Sequence, residues 1–220
     1  MIPNMLSLFG PEQMASNVTI NIVESDSQIE KMILRSLVKE ANKILNKVKN
    51  NMVNNVKPVV RKALNASRTI ESLRNGVLKA DFGLTRDPTS AIIDTIVNSV
   101  EVRATRLSAV GSSIKGGLTL TVQPTDYAFL TTNPTIGGQA IKGGVMPWLD
   151  WLLVSGDEII IANFGVEYGP YGRSGGGRMV EEKRPFKVNT NHSGTIDNNF
   201  ITRAIDEHKL LIIDAIEKSF

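Results

Sequence analysis

The stretch TSAIIDTIVNSV (Thr89–Val100), EVRATRLSAV (Glu101–Val110), GSSIKGGLTLTV (Gly111–Val122) decides the fold, because the hydrophobic period changes inside it. Ile92, Ile93, Ile96 and Val97 recur at three and four, the spacing of one buried helix face. Asp87-Pro88 supplies an N-cap and a proline in the first turn, so a helix is predicted over Thr89–Ser99. Then the period drops to two. Leu118-Thr119-Leu120-Thr121-Val122 alternates cleanly and is rich in β-branched residues, so Val100–Val110 and Ile114–Val122 read as strands.

Working upstream, Ser27-Gln28-Ile29-Glu30 has capping-box spacing and opens a long helix. Ile33, Leu37, Ala41, Ile44, Val48 and Met52 keep one apolar stripe, which Val59, Ala63 and Ile70 extend. Pro58 lacks an amide hydrogen and crowds the preceding turn, so a kink or break is expected near Asn54–Lys57. Gly76 is the expected stop. Leu78–Leu84 reads as a short strand or turn. Residues 1–24 read as an N-terminal arm, in which Asn17–Val23 alternates like a short edge strand.

Working downstream, Asp126–Thr131 is a candidate short strand and Thr132–Val145 a glycine-bearing loop. Pro147–Val154 reads as a short helix, Glu158–Tyr168 and Met179–Val188 as strands, and Gly169–Arg178 as a Gly/Arg arm. A terminal helix starts at Thr195 or Asp197 and reaches about Lys218. Helices segregate to the ends of the chain instead of alternating with strands. That order implies an α+β fold, with the long N-terminal helix and the C-terminal helix packed on a mostly antiparallel β-sheet. The domain is expected over residues 25–220.

Bulk properties fit. The chain has 220 residues, 41% hydrophobic and 21% charged, which is globular composition. It has no cysteine, which excludes disulfides and thiolate metal sites. No targeting segment or membrane span is legible, so a soluble protein is expected. The net charge of +3 is unevenly placed: residues 1–80 hold 12 Lys/Arg against 6 Asp/Glu, and residues 81–220 hold 13 against 16. Two differently charged faces follow.

Three segments of the last third carry a resemblance: Pro147-Trp148-Leu149-Asp150-Trp151-Leu152-Leu153, Gly169-Pro170…Arg173-Ser174-Gly175-Gly176-Gly177, and Asn198-Asn199-Phe200-Ile201-Thr202-Arg203-Ala204. Together with a looser echo at Ser72–Leu84, they resemble the neck and tail-completion (head–tail connector) structural proteins of contractile-tailed and related bacteriophages. The resemblance spans roughly residues 146–206. It implies a compact, ring-forming virion component, located in the neck or tail and assembled in the host cytoplasm. Implied partners are further copies of itself, six favoured and twelve the runner-up, and neighbouring portal-side adaptor, tail-tube and terminator proteins. Packaged DNA would pass through the ring.

The residues themselves offer contact chemistry and little reaction chemistry. The arm Tyr171–Arg178 lacks the Gly-Lys-Ser/Thr ending and following helix of a phosphate-cradling loop. It is either a plain hairpin tip or an arm whose Arg173 and Arg178 meet a neighbouring subunit or DNA phosphates. Arg35, Lys39, Lys43 and Lys47 recur every four residues and sweep a sector of roughly 120° beside the apolar stripe. That sector is either a solvated face or an electrostatic contact with protein or DNA. Trp148 and Trp151, three apart, are core residues or subunit-interface anchors. His192 and His208 have no matched ligand cluster, and the adjacent acidic pairs Asp157-Glu158 and Glu181-Glu182 point to opposite faces of a strand. No catalytic residues, cofactor or metal are therefore expected. The favoured expectation is a non-enzymatic ring protein joining head connector to tail. A tail terminator ring and a non-specific nucleic-acid binder using the basic helix are the alternatives.

Overall fold

The computed structural model describes residues 25–122, 127–141 and 144–220. The expected N-terminal arm and its edge strand lie outside the described residues. The fold is α+β, with a long N-terminal helix and small antiparallel sheets.

Helix α1 (Asp26–Asn65) is capped by Ser25, two residues before the expected cap: the Ser25 amide donates to Gln28 Oε1 at 2.9 Å. Ser25-x-x-Gln28 and Ser27-x-x-Glu30 both have capping spacing, and the earlier one is used. Of the expected kink or break at Pro58, the break does not occur, because α1 runs through it. Packing overrides the lost hydrogen bond there, since Val56, Val60, Ala63 and Leu64 around it are all buried. The break falls instead at Ala66–Ser67, and α2 (Arg68–Asn75) ends at Gly76 as read from sequence. Leu78–Leu84 is not a strand: α3 (Val77–Asp81) is a short helix, which the Ser72 hydroxyl caps by accepting from the Leu78 amide at 3.2 Å. Helix α4 (Thr89–Asn98) matches the expectation, with Asp87 Oδ1 accepting from the Thr89 amide at 2.8 Å.

The strands pair antiparallel, but as three separate two-stranded sheets among the described residues, not one. They are β1 (Glu101–Val110) with β2 (Ser113–Thr121), β3 (Gln139–Ile141) with β4 (Gly144–Met146), and β5 (Phe164–Tyr168) with β6 (Gly177–Glu181). The expected strand over Asp126–Thr131 is, where described, helix α5 (Ala128–Thr132). Helix α6 (Asp150–Leu153) follows. The terminal helix starts later than expected and is divided into α7 (Phe200–Glu207) and α8 (Lys209–Glu217) at His208.

The core gathers the C-terminal half of α1, helices α2 to α4, the α6 turn and α7. The other half of α1 leaves it. The residues from Asp26 to Lys47 span about 33 Å at 1.5 Å per residue, and none of them is fully buried. The β1–β2 hairpin lies along this half of the helix.

Candidate interaction surface

The resembling segments, far apart in sequence, meet in space. Phe82, from the echo at Ser72–Leu84, packs on both tryptophans, with ring centroids 5.4 Å from Trp148 and 6.4 Å from Trp151. Trp148 is buried and Trp151 packs against the core from its edge. The interface-anchor reading of Trp148 is thereby corrected: the ring is spent on holding α3 to the α6 turn. Asn199, the last motif's second asparagine, is fully buried. Its Oδ1 accepts from the amides of Ile201 (3.0 Å) and Thr202 (3.2 Å), while its Nδ2 donates to Thr195 O at 3.0 Å and Tyr127 Oη at 3.2 Å. The sequence placed the helix start at Thr195 or Asp197, whereas Asn199 is the cap of α7 and ties it to Tyr127 beside α5. A buried amide needs all these partners to offset its desolvation.

The Gly/Arg arm is the turn of the β5–β6 hairpin, and its own chain orders it. Gly169 N–H donates to Gly176 O and Gly177 N–H to Tyr171 O, both at 3.1 Å. The hairpin docks on α3: Tyr168 Oη donates to Asp81 Oδ1 at 2.7 Å, and Arg173 reaches over Gly83, where a Cβ would lie 3.2 Å from its Nη2. Arg178 pairs with Glu167 at 2.8 Å and lies 5.0 Å from the centre of the Tyr171 ring. The arginines are exposed, as expected, but no neighbour is needed to fix the arm.

Arg35, Lys39, Lys43 and Lys47 all lie exposed on the projecting half of α1. Lys43 pairs with Glu40 at 2.7 Å, and no ion pair engages the other three among the described residues. At about 100° per residue, Leu34, Val38, Asn42 and Leu45 turn toward the β1–β2 hairpin. The four basic residues take a second sector, centred about 120° round the helix from it. Between these sectors runs a third strip, Ile33, Leu37 and Ile44, that nothing among the described residues covers. Leu37 is 55% exposed, while Val48, three turns on along the same stripe, is 5% exposed. Sequence reading placed the whole stripe in the core; its first half lies beyond the core's edge.

A cleft of about 690 Å³ at the start of α2 is lined by Arg68, Thr69, His192, Arg203 and Glu207. His192 Nδ1 lies 3.1 Å from Thr69 Oγ1, and burial, helped by the nearby Arg203 charge, holds the ring's pKa below its ordinary value. This is a satisfied histidine. Among the described residues no three His, Cys, Asp or Glu side chains converge as a metal site, and no helix is long and apolar enough to cross a membrane.

Compared with protein-family models, curated proteins and solved structures, the chain matches none.

Proposed function

We propose that this chain is a non-enzymatic virion protein of a tailed bacteriophage, whose copies form a ring in the neck or tail-completion zone and join the head connector to the tail. The observation that carries this reading is the projecting half of α1, which presents an uncovered apolar strip beside a basic sector. A continuous apolar strip on a helix about 33 Å long is a surface for another protein, because water is its worst neighbour. Ring closure needs two different complementary faces on each subunit, and the uneven charge between the chain's halves supports such a pair. The three resembling segments supply the phage context. Their convergence around Phe82, Trp148 and Asn199 gives those motifs a common purpose, that of holding one rigid body from which helix and hairpin project.

A head-side adaptor, a tail-completion ring and a tail terminator ring are all layers this shape serves. Non-specific DNA binding is the second reading, favoured by three exposed basic side chains without ion-pair partners among the described residues. It requires retention on DNA that weakens steeply with salt.

Particles made without this chain test the proposal. Filled heads and separate, finished tails are the expected products. Intact, infectious particles lacking the chain would overturn it.

A further inference from the structure

Helix α8 carries apolar residues on all sides, yet buries only Ile212 and Ala215 against its own chain. A helix apolar all round belongs in an interior. On its outer side Leu210 is 80% exposed, Ile213 is exposed as well, and Phe220 just beyond the helix is 81% exposed. The charges around this face lean acidic: residues 200–220 hold Asp206, Glu207, Asp214 and Glu217 against Arg203, Lys209 and Lys218, with Lys218 paired to Asp214 at 2.6 Å. The projecting half of α1 is the converse. The half of the helix that carries its uncovered strip holds six Lys/Arg between Lys31 and Lys49, against Glu40 alone. Two uncovered apolar faces of opposite charge on one chain are complementary to each other and not to themselves.

The geometry points to a head-to-tail contact between copies, in which the Ile33–Leu37–Ile44 strip of one subunit lies on the Leu210–Ile213 face of the next. This inference rests on the ring reading and specifies which faces close the ring. Like-with-like pairing of the α1 halves would set basic sectors against each other, and pairing of the α8 faces would set carboxylates together. The opposite arrangement buries both strips and neutralises both charges. Helix α8 is already anchored for this: Asn55 Nδ2 donates to Ser219 Oγ at 3.0 Å, and Asn51 Nδ2 to Ser219 O at 3.3 Å. Those bonds fix the α8 face rigidly relative to α1, so each added subunit repeats one rotation, the condition for closure.

The chain has no cysteine, so introduced thiols report cleanly. Full-length Leu37→Cys and Leu210→Cys proteins, mixed and oxidised, are expected to give a disulfide-linked heterodimer, while either alone stays uncrosslinked. The double variant is expected to give a ladder ending at the ring's copy number. Lys39→Glu with Lys43→Glu should lower crosslinking at least tenfold, and Asp214→Lys with Glu217→Lys in the partner should restore it. Homotypic crosslinks from either single variant, or rings that form without the mixed crosslink, would overturn the contact and leave the ring reading standing. A chain that stays monomeric and is missing from particle necks would overturn the ring reading itself.

Discussion

The side chain of Asn42 makes a two-way hydrogen bond with the backbone of Leu107: its Nδ2 donates to Leu107 O and its Oδ1 accepts from Leu107 N, each at 2.9 Å. The cause lies in the strand. The β1–β2 register shifts between Thr105 and Ser108, so Arg106 and Leu107 together face Gly116. A bulge of this kind takes backbone groups out of the ladder, and Asn42 takes them up. Gly116 is required there: its φ is +105°, and a Cβ would lie 2.4 Å from Arg106 O. One amide side chain thus clips the hairpin to the projecting helix.

Asn42→Ala should release the hairpin without unfolding the core. Each net hydrogen bond contributes about 1 kcal/mol, and stranding the half-buried Leu107 groups adds to the loss. Hydrogen exchange is expected to quicken across Glu101–Thr121 while α4 and α7 stay protected. Uniform quickening throughout the molecule would show that the clip is not local.

Trp148→Ala should cost about 3–5 kcal/mol by leaving a cavity between Phe82 and the α6 turn. Reversing the exposed Lys39 and Lys43 should leave folding nearly intact, since exposed pairs contribute about 1 kcal/mol or less, but should impair head-to-tail joining. Denaturant melts of both variants, beside joining assays, separate the two roles. Equal losses of stability would contradict the division between core and contact surface.

Pro58→Ala should stabilise the chain. A proline inside a continuous helix costs up to about 3 kcal/mol relative to alanine, offset in part by the entropy that proline removes from the unfolded state. A rise in Tm is the expected result. A fall would mean that α1 is bent at Pro58 in a way the packing needs.

His192 should make the fold sensitive to mild acid. Its folded pKa lies below the ordinary value of 6.5, so the unfolded chain takes up the proton first. Stability is then fully present above about pH 6.5 and declines as pH falls from there toward the folded pKa. His192→Gln should flatten that slope in denaturation curves between neutral and mildly acidic pH. An unchanged slope would assign it to other groups.

Sequence reading succeeded where a local pattern sets the structure. The Ile92–Val97 spacing gave α4, the Leu118–Val122 alternation gave β2, and Gly76 gave a helix end. It failed where tertiary partners decide. Leu78, Ala80 and Phe82 alternate like a strand, but Ser72 and the tryptophans hold them as a helix and turn. Strand pairing was also beyond it, because each strand's pattern is silent about its neighbour, and one expected sheet became three hairpins. At the surface, the spacing of Arg35, Lys39, Lys43 and Lys47 was legible. That Ile33, Leu37 and Ile44 beside them stay uncovered was not, because periodicity shows which face is apolar and not where the core ends.

A cryo-EM map of the particle's neck would locate this chain and count its copies. A closed ring around the DNA channel is expected, of six copies or else twelve, with the basic half of α1 against the next subunit's α8 face. Finding the chain outside the neck and tail, or there as isolated copies without subunit contacts, would contradict it.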